Sequence, residues 1–199
     1  MSEIGKWLQQ LGLVSDERLP PGQHQVSSLP VLDIGVHPVI ELAEWRLAIQ
    51  GLVNHPRQFT WDELQTLPQV AITADIHCVT HWSCLDVTWS GIAVKSLLEL
   101  VQPQPEGRFV SLVSYDNYTT NLPLAALLDD DVLLAHSLNG QPLSVEHGGP
   151  LRMVVPKRYF WKSAKWIKTI EIHAEDRPGF WEARGYHNDA FPWEEQRFG

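Results

Sequence analysis

Two cysteines lie within the short stretch His77-Cys78-Val79-Thr80-His81-Trp82-Ser83-Cys84. A thiolate is a soft ligand that suits zinc, Cu(I) and other thiophilic metals. Residues 70–80 are rich in β-branched side chains and predict a strand with Cys78 at its far end, where a rigid scaffold can present one reactive group. Most free cysteines are only small buried apolar residues, so from these residues alone both interpretations of Cys78 stay open.

A zinc site is an alternative for this stretch, because Cys78, His81 and Cys84 recur at every third position. Closed zinc sites usually combine two short ligand clusters separated by a longer gap, and only one cluster is obvious here. Three ligands at this spacing also need a turned or helical backbone, whereas the residues before Cys78 favour a strand. The zinc hypothesis is therefore the less favoured one.

A second group of residues suits an anionic ligand. Six basic residues fall within the seventeen positions from Arg152 to Lys168, although the formal net charge of the chain is −9. Gly148-Gly149 precedes them and lets a backbone approach a ligand closely. Lys162-Ser163-Ala164-Lys165 offers ammonium groups, a hydroxyl and backbone N–H groups, which are the donors of a phosphate site. The residues alone indicate a small anion or a phosphorylated cofactor, with a solvated basic face as the other interpretation.

Composition limits the class of protein. A chain of 199 residues with only two cysteines can bury a large core without a disulfide framework. The acidic balance argues against sequence-independent binding of nucleic acid, which needs a dense basic face. No apolar run is long enough to span a membrane, and the first residues show neither a secretory h-region nor a twin arginine, so we expect a cytoplasmic protein.

The elements that must position these residues point to an α+β domain with a mixed sheet. Predicted strands outnumber helices and do not alternate regularly with them, which argues against a doubly wound fold. Thr60 to Glu63 has the form of a capping box, and Asn139-Gly140 is typical of a hairpin turn. We expect strands over 45–53, 70–80, 109–115, 132–138, 141–145, 151–156 and 165–173, and helices over 60–68, 92–101 and 122–128.

The two ends of the chain have different compositions. Residues 1–30 are polar and contain Pro20, Pro21, Gly22 and Pro30, so they predict an N-terminal arm, followed by one domain over residues 31–199. The segment 174–199 contains six large aromatic residues, whereas disordered tails are poor in them. We expect this C-terminal segment to pack back on the domain.

Taken in order, the motifs resemble the sulfite oxidase fold family, the molybdopterin-binding oxidoreductase domain. The pieces that carry the resemblance are Ile76-His77-Cys78-Val79-Thr80 with Trp82-Ser83, Trp89-Ser90-Gly91-Ile92, Tyr118 to Leu124, Asn139 to Leu143, His147 to Arg152, Val154-Val155-Pro156, Lys162 to Trp166, and Phe180-Trp181-Glu182 with Gly185 to Asn188. They run from about Trp45 to the C-terminus.

The resemblance implies a molybdenum–molybdopterin cofactor (Mo-MPT) whose metal is ligated by Cys78. It implies no haem, because the chain lacks the haem domain of the larger relatives. Tyr186 matches a tyrosine on the substrate side of the metal. The residues that the resemblance assigns to the cofactor are Cys78, Ser114, His147, Arg152, Lys162, Ser163, Ala164 and Lys165.

The resemblance further implies two-electron oxygen-atom transfer with a small-molecule substrate, which could be sulfite, an S-oxide or an N-oxide, and a separate electron-transfer protein. Sulfite oxidases surround their oxyanion with arginines, but the one that lies a few residues after the ligand cysteine has no counterpart here, where the stretch reads His81-Trp82-Ser83. The N-terminal Arg-Asn-His motif is also absent, and His37 is the one candidate substitute. Doubly charged sulfite is therefore the disfavoured substrate, and a non-catalytic cofactor-binding module is the remaining alternative.

Overall fold

A computed structural model describes residues 17–35 and 37–199, and two mixed β-sheets form its framework. The six-stranded sheet contains β1 (His24–Val26), β4 (Val70–His77), β5 (Trp82–Ala93), β8 (Leu133–Leu138), β9 (Gln141–Pro142) and β10 (Arg152–Val154). The five-stranded sheet contains β2 (Arg46–Gly51), β3 (Arg57–Thr60), β6 (Phe109–Ser114), β7 (Thr119–Pro123) and β11 (Ile167–His173).

The strand order explains how distant motifs meet. The larger sheet runs β1-β5-β8-β10, with β4 also paired to β5 and β9 to β8, and the smaller sheet runs β3-β2-β11-β6-β7. Strands β1 and β5 are parallel, as are β2 and β11, while the other named pairs are antiparallel. The mixed sheets with few helices confirm the predicted α+β class.

Two short α-helices complete the framework. Helix α1 (Trp61–Thr66) begins at the predicted capping box: the Thr60 hydroxyl accepts a hydrogen bond from the Glu63 amide at 3.2 Å, and the Glu63 carboxylate accepts one from the Thr60 amide at 2.7 Å. Helix α2 (Val94–Val101) buries its apolar residues at helical spacing, which are Val94, Leu97, Leu98 and Val101. Short 3₁₀ turns lie over Leu124–Leu128, Val145–His147, Phe160–Lys162, Glu182–Arg184 and Pro192–Glu194.

Apolar side chains form two clusters. The larger core joins α2 to both sheets through residues such as Leu47, Leu112, Leu134 and Ile170. The smaller cluster surrounds the end of β4 and the start of β5, and its buried members are Leu29, Ile76, Cys78, Trp82, Cys84, Val87, Trp89, Leu133, Ala135 and Val154. Cys78 is thus held at the edge of a packed and rigid part of the domain.

Four strands were not predicted, namely β1, β3, β5 and β7. Strand β5 was missed because it is buried on both faces near its ends and interrupted at Asp86, whose φ of 57° breaks the simple alternation. Strand β7 occupies the first two residues of the helix expected over 122–128, which is a 3₁₀ turn from Leu124.

The N-terminal arm differs in part from the prediction. Residues 1–16 lie outside the described part, but residues 24–26 form β1 and pair with Trp82 to Cys84 of β5. The C-terminal segment packs back as expected, for example through the hydrogen bond from the Tyr159 amide to the Ala190 carbonyl at 2.8 Å. Within residues 17–35 and 37–199, no helix has the length and apolarity needed to cross a bilayer.

Candidate active site

A cavity of about 280 Å³ brings together the motifs that the sequence singled out. Its wall is built from the turn after β4, the end of β6, the 3₁₀ turn at Val145–His147, β10, residues 160–166 and the C-terminal segment. Eight of the nine predicted site residues line it, namely Cys78, Ser114, His147, Arg152, Ser163, Ala164, Lys165 and Tyr186.

The Cys78 turn presents the sulfur to this cavity. The Cys78 amide donates to the Trp82 carbonyl at 2.9 Å, and the His81 amide donates to the Cys78 carbonyl at 3.1 Å, so residues 78–82 close a tight turn. His81 has a φ of 71°, which this turn requires. The Gln23 side-chain amide, from the N-terminal segment, donates to the Cys78 carbonyl at 2.9 Å and fixes the turn from outside.

The Cys78 sulfur is buried among hydrogen-bond donors, and burial dominates, so that the pKa of the thiol is raised. Burial raises the pKa of the Cys78 thiol, but the Thr80 hydroxyl, the amides of Val79 and Thr80 and the charge of Arg197 all act in the opposite direction. The Thr80 hydroxyl lies 3.2 Å from the sulfur. N–H and O–H donors around a sulfur atom are the environment of a metal-bound thiolate, which accepts hydrogen bonds once its proton is lost.

Arg152 places a buried positive charge in the cavity wall. The residue is 1% exposed, and its guanidinium donates to the carbonyls of His147 and Ser163, each at 2.8 Å. No carboxylate among residues 17–35 and 37–199 lies within ion-pair distance of it. Burial therefore lowers the pKa of Arg152, and an anion in the cavity would offset the cost of the uncompensated charge.

The turn at Ser163-Ala164-Lys165 adds further donors. The Lys165 ammonium donates to the Glu146 carbonyl at 2.5 Å and lies 3.8 Å from an Asp33 oxygen. Burial and the nearby charge of Arg152 lower the pKa of Lys165 to about 8. The backbone amides of Ala164 and Lys165 donate to no acceptor within the described residues, so two adjacent N–H groups remain for a ligand. Cationic groups with free amides form a suitable phosphate cradle.

His147 and the glycines that follow bring this cradle together. The His147 ring contacts the Ser144 hydroxyl at 3.1 Å and the Leu29 carbonyl at 3.3 Å. Gly148 has a φ of 101°, and a Cβ there would lie 3.0 Å from Lys165 and 3.1 Å from Arg152. The glycine therefore allows the two cations to approach the same backbone turn.

Two polar atoms in the cavity wall have no partner within the described chain. The Ser114 hydroxyl and the Trp82 indole N–H are both buried and make no hydrogen bond. Buried polar groups are normally satisfied, so two orphans in one cavity indicate a polar ligand. Together with the free amides and the cations, they fit a molecule that carries both a polar ring system and a phosphate.

An aromatic wall closes the side of the cavity formed by the C-terminal segment. Trp161, Trp181 and Tyr186 line it, with the Tyr186 ring centroid 5.1 Å from that of Trp161 and 4.8 Å from that of Trp181. The predicted placement of Tyr186 beside the cavity agrees with this wall. Trp161 and Trp181 were not predicted as site residues.

Lys162 is the predicted site residue that the structure does not bring to the cavity. Its side chain is fully buried, and the ammonium lies 2.7 Å from Glu182 and 2.8 Å from the Asn121 carbonyl. Lys162 lies in the 3₁₀ turn at residues 160–162, next to the cradle in sequence, but it pairs with the Glu182 oxygen that also accepts a hydrogen bond from the Trp161 indole. The resemblance, together with its position next to the Ser163–Lys165 turn in sequence, suggested its assignment to phosphate.

The structure also separates the remaining candidates from the cavity, namely the proposed zinc ligands His81 and Cys84 and the substitute His37. His81 is exposed and contacts the Gly22 carbonyl at 3.0 Å, while Cys84 lines a different depression, and the described residues contain no cluster of three metal-ligating side chains. The structure therefore gives the zinc hypothesis no support. His37 pairs with Asp33 at 2.7 Å and does not line the cavity.

Arg197 lies near the site and was not predicted as a site residue. Its guanidinium donates to the Val79 carbonyl at 2.7 Å and to the Pro21 carbonyl at 3.3 Å. It also lies over the Tyr159 ring, 4.9 Å from the centroid. No local motif marks it, because the carbonyls that its guanidinium bonds are 118 and 176 residues away in sequence.

The fold and the cavity define an α+β domain with a cationic pocket, suited to an anionic or phosphorylated ligand, beside a buried thiol. Comparison with known proteins agrees: residues 34–181 match the family model described as the oxidoreductase molybdopterin binding domain. The chain therefore belongs to this family of molybdopterin-binding oxidoreductases.

The most informative relatives differ in how much of their length the chain covers. It is 44% identical over 182 residues to the uncharacterized oxidoreductase YuiH of Bacillus subtilis, covering 91% of this chain and 92% of that protein. It is 31% identical over 148 residues to a putative protein-methionine-sulfoxide reductase subunit, YedZ1, of Azospira oryzae, covering 74% and 56%.

A solved structure supports the fold. The sulfane dehydrogenase SoxCD from Paracoccus pantotrophus aligns with a TM-score of 0.63 and 25% identity, over 70% of this chain and 40% of that one. The Arabidopsis thaliana sulfite oxidase is 27% identical over 188 residues, and the chain covers 48% of it. These matches confirm a sulfite oxidase-type domain and an oxidoreductase.

Proposed function

We propose that the chain is a Mo-MPT oxidoreductase in which Cys78 ligates the metal and a neutral S-oxide or N-oxide is the substrate. The observation that carries the proposal is the single cavity shared by the Cys78 sulfur, the Arg152 guanidinium and the Ser163–Lys165 turn. When bound, the cofactor would supply the two-electron, oxygen-atom-transfer chemistry. The protein supplies position and electrostatics.

The residues divide into two roles. His147, Arg152, Ser163, Ala164 and Lys165 would hold the pterin and its phosphate, with the Ser114 hydroxyl and the Trp82 indole as further donors. Cys78 would serve as the soft ligand, because the donors around its sulfur stabilise the deprotonated form.

The substrate class follows from where the cations are used. Arg152 is already bonded to the carbonyls of His147 and Ser163, and Lys165 to that of Glu146, all beside the phosphate cradle. No other arginine or lysine of the described chain lines the cavity, so an oxyanion such as sulfite has no free guanidinium to pair with. The aromatic wall favours an uncharged substrate, and the Tyr186 hydroxyl would donate a hydrogen bond to its oxygen. A separate protein would exchange the electrons, and a cytoplasmic location stays a prediction.

Two measurements test the proposal. Elemental analysis of purified protein should show molybdenum, and acid oxidation should release a fluorescent pterin; zinc without pterin would overturn the assignment. A screen of S-oxides, N-oxides and sulfite against the molybdenum-loaded protein should favour the neutral compounds. Faster turnover of sulfite would contradict the substrate class, and bound pterin without turnover of any compound would indicate a binding module.

A further inference from the structure

A buried carboxylate stands behind the aromatic wall. Glu182 follows Trp181 in the C-terminal segment, and its side chain is 2% exposed. Its Oε1 accepts three hydrogen bonds, from the Lys162 ammonium at 2.7 Å, the Thr120 hydroxyl at 2.9 Å and the Trp161 indole at 2.9 Å. Its Oε2 has no partner among the described residues. One oxygen atom therefore joins the C-terminal segment to two others, the one that contains Thr120 and the one that contains Trp161 and Lys162.

The ammonium of Lys162 has an acceptor in this arrangement for each of its N–H groups. Its ammonium has three N–H groups and lies within hydrogen-bond distance of three acceptors: Glu182, the Asn121 carbonyl at 2.8 Å and the Asn121 side-chain oxygen at 3.0 Å. Burial lowers the pKa of Lys162, while the Glu182 carboxylate opposes that shift. No donor of Lys162 remains for a phosphate in the cavity.

The pair acts on the cavity through the rings that it holds. The Trp161 indole is bonded to Glu182, and the Trp161 ring meets Tyr186 edge-on with centroids 5.1 Å apart. Trp181 precedes Glu182 directly and packs on Tyr186 at 4.8 Å. Glu182 therefore holds Trp161 directly, and it is linked to Tyr186 through the ring contacts that Trp161 and Trp181 make with it.

We propose that Lys162 and Glu182 form a positioning pair that fixes the orientation of Trp161, Trp181 and Tyr186. A buried ion pair carries a large desolvation cost, and apolar replacements of the same shape are often equally stable. What such replacements lack is the directional hydrogen bond that selects one rotamer of Trp161. That the positioned wall faces a substrate rests on the proposed function, whereas the positioning itself does not.

The first test reads the wall directly in the cofactor-free protein. The indole N–H resonances of ¹⁵N-labelled protein can be assigned for Trp161 through a Trp161→Phe variant. Glu182→Leu should shift the Trp161 resonance and speed its exchange with solvent, because the acceptor is gone. Glu182→Gln keeps an oxygen at that place and should largely preserve the signal. Glu194→Leu removes an exposed carboxylate of the same segment and should change nothing.

The second test separates positioning from phosphate binding. Lys162→Met and Glu182→Leu should each lower the melting temperature by several degrees, because each leaves its partner charge buried and unpaired. The double variant should be more stable than the sum of the two losses predicts. All three variants should retain molybdenum and pterin within twofold of the wild type. For a substrate found in the screen, KM should rise about tenfold in Glu182→Leu, with a smaller change in kcat. In Glu182→Gln, KM should stay close to the wild-type value.

Two results would overturn the inference. An unchanged Trp161 resonance in Glu182→Leu would show that the carboxylate does not set the ring. Loss of pterin in Lys162→Met, with pterin retained in Glu182→Leu, would return Lys162 to a phosphate role. If the wild type itself held no molybdenum, the proposed function would fail, while the resonances and the melting temperatures would still decide the positioning role.

Discussion

Arg197 donates a hydrogen bond of 2.7 Å to the carbonyl of Val79, the residue that follows Cys78. Arg197 is 8% exposed. Its guanidinium also donates to the carbonyl of Pro21, which lies near the other end of the described chain. Three distant segments therefore meet around the turn that presents the sulfur. The charge of Arg197 also favours the ionised form of Cys78 and so lowers the pKa of that thiol against the effect of burial.

Replacing Arg197 by methionine should loosen the Cys78 turn. The carbonyls of Val79 and Pro21 would lose their donors, and a lost charge-assisted bond of this kind costs about 1.5–3 kcal/mol. We expect a lower melting temperature and a smaller molybdenum content per protein. Arg177→Met is the matched control, because the Arg177 side chain is 63% exposed and lies 3.7 Å from Glu171 in a surface ion pair. Equal melting temperatures and molybdenum contents in the two variants would contradict the role of Arg197 in holding the Cys78 turn.

The two cysteines provide a second comparison. Both are 6% exposed, so their substitution by serine perturbs packing to a similar degree. Cys78→Ser should abolish molybdenum-dependent turnover, since it removes the soft donor from the cavity. Cys84→Ser should keep activity and metal content, because Cys84 lines another depression. Activity assays with metal analysis measure both, and full turnover by Cys78→Ser would exclude the assigned ligand.

Lys165 predicts a pH dependence of anion binding. Its pKa of about 8 means that the ammonium charge is present below pH 8 and is lost as the pH rises through that value. Burial lowers the pKa of Arg152 to about 9, so its charge weakens only toward the upper end of this range, and a Lys165 variant separates the two contributions. Sulfate, which does not titrate here, should therefore bind the cofactor-free protein about tenfold more weakly at pH 9 than at pH 7. Titration calorimetry measures this.

Two variants separate Lys165 from its neighbours. Lys165→Gln should bind sulfate weakly at both pH values, and the exposed Lys168→Gln should behave like the wild type. The unfolded state binds more protons than the folded state between pH 8 and the ordinary lysine value of 10.5, so this residue should make the cofactor-free protein more stable as the pH rises through that window. Sulfate affinity that does not vary with pH in the wild type would refute the assignment.

Local chemistry explains which parts of the fold were predictable. The capping box at Thr60 and the hairpin turn at Asn139-Gly140 depend on neighbouring residues, and both appear where expected. Strand β5 could not be found in this way, since its burial follows from contacts with β1, β4 and β8 rather than from alternation.

The candidate site shows the same division. Cys78 and Lys165 belong to motifs with recognisable chemistry, and both line the cavity. Arg197 contributes through carbonyls that lie 118 and 176 residues away, which no local pattern encodes. Lys162 shows the opposite case: its neighbours in sequence line the cavity, but its own side chain pairs with Glu182 and does not line it.

Gly148 offers a test of the cradle that does not touch a charged residue. Gly148→Ala would hold an alanine at a φ of 101° and place its Cβ 3.0 Å from the Lys165 side chain. The Gly140→Ala control has a φ of 77° but open space around its Cβ, so it carries only the backbone strain of about 1–2 kcal/mol. Gly148→Ala should lose more stability than this control and should also weaken sulfate binding by displacing Lys165. Thermal melts and calorimetry would separate the two effects, and equal sulfate affinity in both variants would show that Gly148 does not position the cation.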